Sequence, residues 1–548
     1  MVLSVEISEK SFGPKTLFTH LNFTIGDGEK VGVVGRNGIG KTTLFNILDG
    51  SDKDYSGDLA MRRGMTMVAT SQEYHDVGEQ TTAEYITSGL PEFTELSQKM
   101  AEFEALENPS SRQVKEYSAA VERFSDKGYY FIGDKIRRAL EAFQLEQAAD
   151  RPFKTLSGGE KRLSEIVKIM LSDSHLALVD EPTNYMDYAA KAQFIEWMNG
   201  APEAILVITH DRDVLANVDR IIEIKDGGAF SYPGNYADYL AQNSTRTVTS
   251  MNEYEIVQRR IENLKKQIAA ARSKKAGWGG TADKKNPFVV IEERCNRELK
   301  KLLEIEKPSF WIDKSSAADL DYKHAARYEK YKARNIKIGL SAAESRSRRS
   351  LVAVRDLAVG YEAPIISGID FDLREGDALE IRGRNGAGKT TLIKAILGLP
   401  GPRIFGGEVK IDPHAKISVY EQEVNSSLFD LLLPDAIMKV YDDRGVNITE
   451  QKVRSIMDNY LFTEADRNVK VRDLSGGQKA RLQIIAMLAV EPDLLVFDEP
   501  TSHLDLPSIE ELETALARYK GACLYISHDN YFRNKVGGAV VSLSNTPQ

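Results

Sequence analysis

Two eight-residue runs carry the first recognisable chemistry of this chain. Gly35, Arg36, Asn37, Gly38, Ile39, Gly40, Lys41 and Thr42 read G-x-x-x-x-G-K-T, and Gly383, Arg384, Asn385, Gly386, Ala387, Gly388, Lys389 and Thr390 read the same. In such a P-loop, glycine backbone N–H groups cradle phosphates, the lysine reaches the β- and γ-phosphates and the hydroxyl binds Mg²⁺. Thr43 and Thr391 extend each run. Both loops are followed by the same further elements in the same order. Ser157-Gly158-Gly159 and Ser475-Gly476-Gly477 precede helical runs, so each serine caps a helix whose exposed N–H groups and dipole suit a γ-phosphate. Asp180-Glu181 and Asp498-Glu499 close short apolar runs. The aspartate is placed to hold Mg²⁺ and the glutamate to act as general base on water. His210 and His528 close the next apolar runs, where they can touch a γ-phosphate and orient that water. Gln72 and Gln422 end two further apolar runs and are candidate contacts to Mg²⁺ and water. Phe12 and Tyr361 precede the loops and either stack on adenine or pack in the core.

These residues need strands to deliver them. Lys30–Gly35, His175–Val179 and Leu494–Phe497 are short, continuously apolar stretches alternating with helical patterns, which predicts a parallel sheet covered on both faces. Ser157, Asp180 and His210 recur at Ser475, Asp498 and His528, 318 positions on in each case. No insertion separates these elements in either half. Upstream, the Gln72–Ser157 interval exceeds the Gln422–Ser475 interval by 32 residues. The predicted insert lies at about 90–127, with helices over Pro91–Leu106 and Arg112–Phe124 around an Asn108-Pro-Ser-Ser111 turn. This arm is either functional or a surface decoration.

The second departure from the repeat is about 243–349. Val257, Ile261, Leu264 and Ile268, and then Ile291, Cys295, Leu299 and Leu302, form apolar stripes at helical spacing and predict an antiparallel hairpin. Its tip is 272–288, and 308–332 reads as a further helical return. From Arg259 to Lys301 there are 13 basic and 5 acidic residues, against −9 for the whole chain. A basic hairpin on an acidic body is a local phosphate-binding element. At the tip, Arg272, Lys274, Lys275, Lys284 and Lys285 surround Trp278 and Phe288, an arrangement that can stack on unpaired bases or form a solvated coiled-coil face.

With 548 residues the chain has room for three to four domain-sized units. Charged residues make up 28% and apolar residues 42%, an ordinary water-soluble composition. Only Cys295 and Cys523 are present, which excludes a disulfide framework and fits a cytoplasmic location. The N-terminal run lacks the pattern of a signal peptide, and no apolar run is long enough to span a membrane.

The combination of P-loop, glutamine, LSGG[EQ], apolar-Asp-Glu-Pro-Thr and strand-end histidine, present twice, resembles the ATP-binding cassette superfamily. Two tandem cassettes without a membrane domain, an arm in the first and a charged helical linker resemble its ABC-F family. The resemblance implies an α/β chain with two tandem P-loop ABC ATPase domains, a helical arm insertion and an α-helical hairpin linker. Expected boundaries are 1–242 for the first cassette, 243–349 for the linker and 350–548 for the second. It implies ATP and Mg²⁺ as ligands, and a monomer with head-to-tail pairing of its cassettes. Lys41, Thr42, Asp180, Glu181 and His210 would then face Ser475–Gly477, and Lys389, Thr390, Asp498, Glu499 and His528 would face Ser157–Gly159. The family resemblance also implies a ribosome partner, through large-subunit rRNA and peptidyl-tRNA, with binding near the tRNA exit site and the linker tip directed toward the peptidyl-transferase centre. Two uses compete: antibiotic resistance by ribosomal protection, favoured by a long linker and short arm, and a housekeeping translation factor. An exporter ATPase subunit would need a membrane partner and gives the basic hairpin no role; a DNA-maintenance ATPase is a third class. One departure from the family pattern is Asn184-Tyr185-Met186-Asp187, where Asn-His-Leu-Asp is usual; the second half has Ser502-His503-Leu504-Asp505. That difference opens the possibility of unequal turnover at the two sites.

Overall fold

The computed structural model describes residues 1–12, 15–70, 78–106, 108–276, 287–305, 307–340, 348–420 and 424–543. The chain divides into two compact units, Met1–Tyr236 with Ile336–Gln548, and Ala237–Asn335. The first holds both cassettes.

Each cassette is built on a sheet whose central strands are buried on both faces. In the first, the order is Gly228–Pro233, Arg220–Lys225, Lys30–Val34, Ala204–Ile208, Leu176–Asp180, Met67–Ala69. All neighbours are parallel except the outermost Gly228–Pro233 pair. In the second, the order is Ile417–Tyr420, Leu494–Asp498, Ala522–Ile526, Ala378–Arg382, Ala539–Ser542, all parallel. Lys30–Val34, Leu176–Asp180 and Ala204–Ile208 are buried at every position. That is why their sequences read as unbroken apolar runs.

Beside the predicted parallel sheet, each cassette carries an antiparallel sheet. Leu3–Phe12 pairs with Lys15–Phe18, Leu21–Ile25 and Ser56–Met61, and Ser350–Gly360 pairs with Pro364–Arg374 and Arg403–Ile411. Its signal is the alternation of Leu3, Val5 and Ile7 inward with Glu6 outward. The parallel strand Lys30–Val34 and the antiparallel Leu21–Ile25 share one core, through Val31, Val33, Leu21 and Ile25. The helix that follows each P-loop packs into that layer through Leu44 and Phe45, or through Leu392 and Ile393.

The arm is a helical pair, Phe93–Glu104 and Ser111–Asp126. The second helix starts at a capping box in which the Ser110 hydroxyl accepts from Gln113 N–H and the Gln113 side chain accepts from Ser110 N–H. An aromatic cluster of Phe93, Phe124 and Tyr129 closes its base.

In the smaller unit the hairpin helices are Tyr236–Ala276 and Pro287–Leu303. Leu264, Ile268 and Cys295 are buried together, with Leu299 and Leu302 packed beside them. The stripe is narrower than its spacing suggests, because Ile291 is exposed. The stretch 308–332 is not one helical return. It contains two short helices, Lys314–Ala318 and Tyr322–Tyr331, each capped by an aspartate, Asp313 and Asp321. Phe310, Ile312, Tyr328 and Tyr331 bury Met251. No described helix is long and apolar enough to cross a membrane.

Candidate active site

The P-loops are shaped by positive backbone angles at their last glycine. Gly40 has φ 107° and Gly388 has φ 85°, and a Cβ at either would collide, with Phe18 at 2.9 Å or Ile366 at 2.7 Å. Only glycine can turn the chain there into the helix that begins at the lysine. Each lysine folds back over its own loop. Lys41 Nζ donates to Gly35 O at 2.7 Å and lies 3.0 Å from His210 Nε2. Lys389 Nζ donates to Gly383 O at 2.9 Å and lies 3.2 Å from His528 Nε2. Burial holds both ammonium groups below their ordinary pKa. A phosphate reaching either lysine would meet a cation already desolvated.

The neighbouring strands bring the remaining groups to the same point. Thr42 Oγ1 donates to Asp180 Oδ2 at 3.2 Å, and Thr390 Oγ1 donates to Asp498 Oδ2 at 2.8 Å. Each pair offers hydroxyl and carboxylate oxygens, hard donors of the kind Mg²⁺ takes together with substrate phosphates. Among the described residues no cluster of three or more carboxylates, histidines or cysteines could hold a metal without such a substrate. Glu181 and Glu499 directly follow their strands in the left-handed region, at φ 46° and 52°. Two non-glycine residues held that way at equivalent positions mark a constrained site. Glu499 Oε2 accepts from His528 N–H at 3.2 Å, whereas its buried Oε1 has no hydrogen-bond partner. Burial, opposed by Lys41, pushes Glu181 up to about 8; burial pushes Glu499 up to about 7. Burial and Lys389 push His528 down to about 3, and burial and Lys41 hold His210 well below its usual range. Both imidazoles are therefore neutral and can accept or donate.

The two halves complete each other. Ser157 and Ser475 cap their helices through capping boxes with Glu160 and Gln478. Ser157 and Gly159 line a cavity of about 690 Å³ together with Lys389, Thr390, Asp498, Glu499 and His528. On the other side a Cβ on Gly477 would run into the Asn37 amide, so that P-loop lies directly against the start of the helix Gly476–Met487. Phe12 is exposed, with the Lys10 ammonium 4.6 Å from its ring centroid. Tyr361 is exposed and lines the cavity, its hydroxyl 3.4 Å from Thr391 Oγ1. Neither aromatic is packed in a core. Gln72, Gln422, Trp278, Lys284 and Lys285 lie outside the described residues. Of the other tip residues, Arg272 and Lys275 bind Glu292 across the hairpin at 2.7 and 3.4 Å, and Lys274 lies 6.0 Å over the Phe288 ring. Arg272, Lys274 and Lys275 are thus partly committed within the hairpin.

Two aspartates without a role in the motif reading turn out to join the halves. Asp187 caps the helix Tyr188–Gly200 with Oδ1, while its Oδ2 accepts from Asn385 N–H at 2.9 Å in the opposite P-loop and from Arg384 Nε at 3.3 Å. Asp505 caps Leu506–Arg518 with Oδ1, and its Oδ2 accepts from Asn37 N–H at 3.1 Å. Asn37 Nδ2 also donates to His503 O at 2.8 Å. The available signal was an aspartate one residue before a helix, which identifies the cap but not the second partner. The usual His-Leu is replaced by Tyr185-Met186 in the first half, yet Asp187 joins a helix cap to the opposite P-loop just as Asp505 does.

A family model described as ABC transporter matches residues 18–184 and 366–502, and a second model of the same description matches 222–285. The chain is 28% identical to ABC transporter F family member 5 of Arabidopsis thaliana over 99% of its own length and 75% of that protein. It is 28% identical to the energy-dependent translational throttle protein EttA of Mycobacterium tuberculosis over 96% of its length and 88% of that protein. It is 25% identical to the ribosome protection protein VmlR of Bacillus subtilis over 97% of its length and 84% of that protein. Among solved structures, one of an RNase-L inhibitor superposes with a TM-score of 0.54 at 17% identity, covering 96% of this chain and 86% of the other. That likeness concerns the fold alone.

Proposed function

Because the chain belongs to the ABC transporter family, and within it to the ABC-F group of tandem-cassette ATPases, we propose that it is a ribosome-binding ATPase whose cassettes close on two ATP molecules. The observation that carries this reading is the reciprocal completion of the sites: each P-loop is held by an aspartate of the other half, at Asp187 to Asn385 and Asp505 to Asn37. ATP bound at either site touches both cassettes, so its binding favours the closed arrangement and its loss the open one.

Glu181 and Glu499 take a proton from the attacking water. Burial raises both carboxyl groups above the ordinary range, so each holds a captured proton more tightly than a free carboxylate would. His210 and His528 orient the water and the γ-phosphate, and Lys41 and Lys389 bind the phosphate oxygens. Ser157–Gly159 and Ser475–Gly477 present N–H groups to the γ-phosphate from the opposite half. Thr42 with Asp180, and Thr390 with Asp498, would hold Mg²⁺, with Gln72 and Gln422 as further contacts; when bound, the ion neutralises charge on the β- and γ-phosphates. Phe12 and Tyr361 offer exposed ring faces for adenine.

The ribosome is the partner that the basic hairpin fits. Its 13 basic residues stand against 5 acidic ones in a chain of net charge −9, so its affinity is for a polyanion and is local. The similarity to a ribosome protection protein and to a translational throttle protein supports the same partner. We expect the protein to pellet with ribosomes in ATP, and to remain in the supernatant in ADP or when 272–288 is replaced by a Gly-Ser loop. Retention of the loop-replaced protein at unchanged salt sensitivity would sink the reading.

The finer use we propose is antibiotic resistance by ribosomal protection, with the tip acting near the peptidyl-transferase centre. A sensitive host expressing the chain should tolerate at least one peptidyl-transferase inhibitor or macrolide at about fourfold higher concentration, and Trp278→Ala should remove that gain. The identity to the throttle protein favours a second reading, a translation factor acting on peptidyl-tRNA, for which susceptibility stays unchanged.

A further inference from the structure

The two strand-end histidines are followed by Asp211-Arg212-Asp213 and Asp529-Asn530-Tyr531. Each aspartate beside a histidine caps its own short helix with Oδ1: Asp211 for Arg212–Leu215 and Asp529 for Asn530–Val536. Their Oδ2 atoms meet two buried cations. Lys191 Nζ donates to Asp213 Oδ2 at 2.6 Å, to Asp211 Oδ2 at 3.1 Å and, across the cassette boundary, to the backbone carbonyl of His528 at 2.7 Å. Arg212 donates across the same boundary to Glu513 Oε1 at 2.5 Å and to Asp529 Oδ2 at 2.9 Å. Asn530 Nδ2 returns to Asp213 Oδ2 at 2.7 Å. Lys191 and Arg212 are 4% and 7% exposed, so water does not loosen these bonds.

The arrangement does not follow from the duplication. The positions 318 residues after Lys191 and Arg212 hold Ile509 and Asn530, and the position 318 before Glu513 holds Ile195. Both cations come from the first half. A buried ion cluster adds little net stability over apolar packing of similar volume, so its consequence lies in position. Here it fixes the residues on both sides of one question, where each histidine sits relative to its phosphate.

We propose that Lys191 and Arg212 interlock the two histidine loops, so that His210 and His528 shift together and turnover at one ATP site depends on the state of the other. Lys191 and Arg212 are positioning residues; neither lines the cavity that holds Lys389, Thr390 and Glu499. The proposal rests on the reading that Glu181 and Glu499 serve two separate sites.

The test is ATP hydrolysis by the full chain without ribosomes, in four forms: unsubstituted, Glu181→Gln, Glu499→Gln and both. With Lys191 present, the two single-variant rates should sum to about fivefold less than the unsubstituted rate, the range expected of coupled sites. With Lys191→Met, the two single-variant rates should sum to the rate of the Lys191→Met protein within about 1.5-fold, as for independent sites. Lys191→Arg, which keeps the cation, should restore the dependence. If Lys191→Met folds poorly, Lys191→Met with Asp213→Asn removes the cation together with one of its carboxylates and is read in the same way. Additive rates in the native background, or the same departure from additivity without Lys191, would overturn the interlock. Residual hydrolysis in the double glutamine protein would count against the two glutamates instead, and the comparison is then read from Lys41→Ala and Lys389→Ala, which block each site at its phosphate contact.

Discussion

A protein carrying both Glu181→Gln and Glu499→Gln should bind ATP with near-native affinity, hydrolyse it about 10²–10⁴-fold more slowly and, on the proposed reading, stay on the ribosome. The substitution keeps the size of each side chain and one carbonyl oxygen, which can still accept from His528 N–H at position 499, and removes the negative charge with the capacity to take a proton. Nothing in the phosphate cradle changes: Lys41 and Lys389, the capped helices at Ser157 and Ser475, and the carboxylates of Asp187 and Asp505 remain. Closure is therefore preserved while the step that ends it is lost. Measured by phosphate release and by cosedimentation at saturating ATP, the variant should appear almost wholly in the pellet. Its recovery as free protein in the supernatant would contradict the clamp. A single substitution should leave turnover at the other site, at a rate that the interlock of the histidine loops sets.

The second large effect concerns stability. Arg212→Met leaves Glu513 and Asp529 buried without their cation, and removing one partner from such a group costs about 3–5 kcal/mol. The guanidinium also lies 4.8 Å over the Tyr531 ring, and methionine supplies no charge to attract that ring face. In a scan of the full chain, the transition of the two-cassette unit should fall by about 10 °C, at a few degrees per kcal/mol for domains of this size. Adding Glu513→Gln and Asp529→Asn should recover most of that loss, because the unpaired charges are removed and asparagine still caps the helix at Asn530. A drop of less than about 1 kcal/mol for Arg212→Met alone would show that the cluster is already well solvated.

What the sequence disclosed follows a physical boundary. Residues that act through their own backbone neighbourhood were legible: the glycines that turn a P-loop, the serines that cap the helices at Gly158 and Gly476, the acids that end a buried strand. Spacing sufficed for these because each works within one strand–loop–helix unit. The hairpin was legible for the same reason, since Leu264, Ile268 and Cys295 form stripes whose period is local, although Ile291 showed that a stripe can outrun its partner. The antiparallel sheets were weaker signals, with alternation over only a few residues at Leu3–Ile7. Pairings between the halves were out of reach. Arg212 and Glu513 are 301 positions apart, and their partners do not repeat with the duplication. Asp187 and Asp505 could be read as helix caps, but their second oxygen is used by a loop nearly 200 or more than 450 residues away.

The one-sided origin of Lys191 and Arg212 bears on ancestry. Two copies of the first half set face to face would oppose each Arg212 with Ile195 in place of Glu513, leaving both guanidinium groups short of a carboxylate. Two copies of the second half would lack either cation. Neither half can now rebuild this boundary with its own twin, so divergence after the duplication has made the fused, ordered pair of cassettes obligatory.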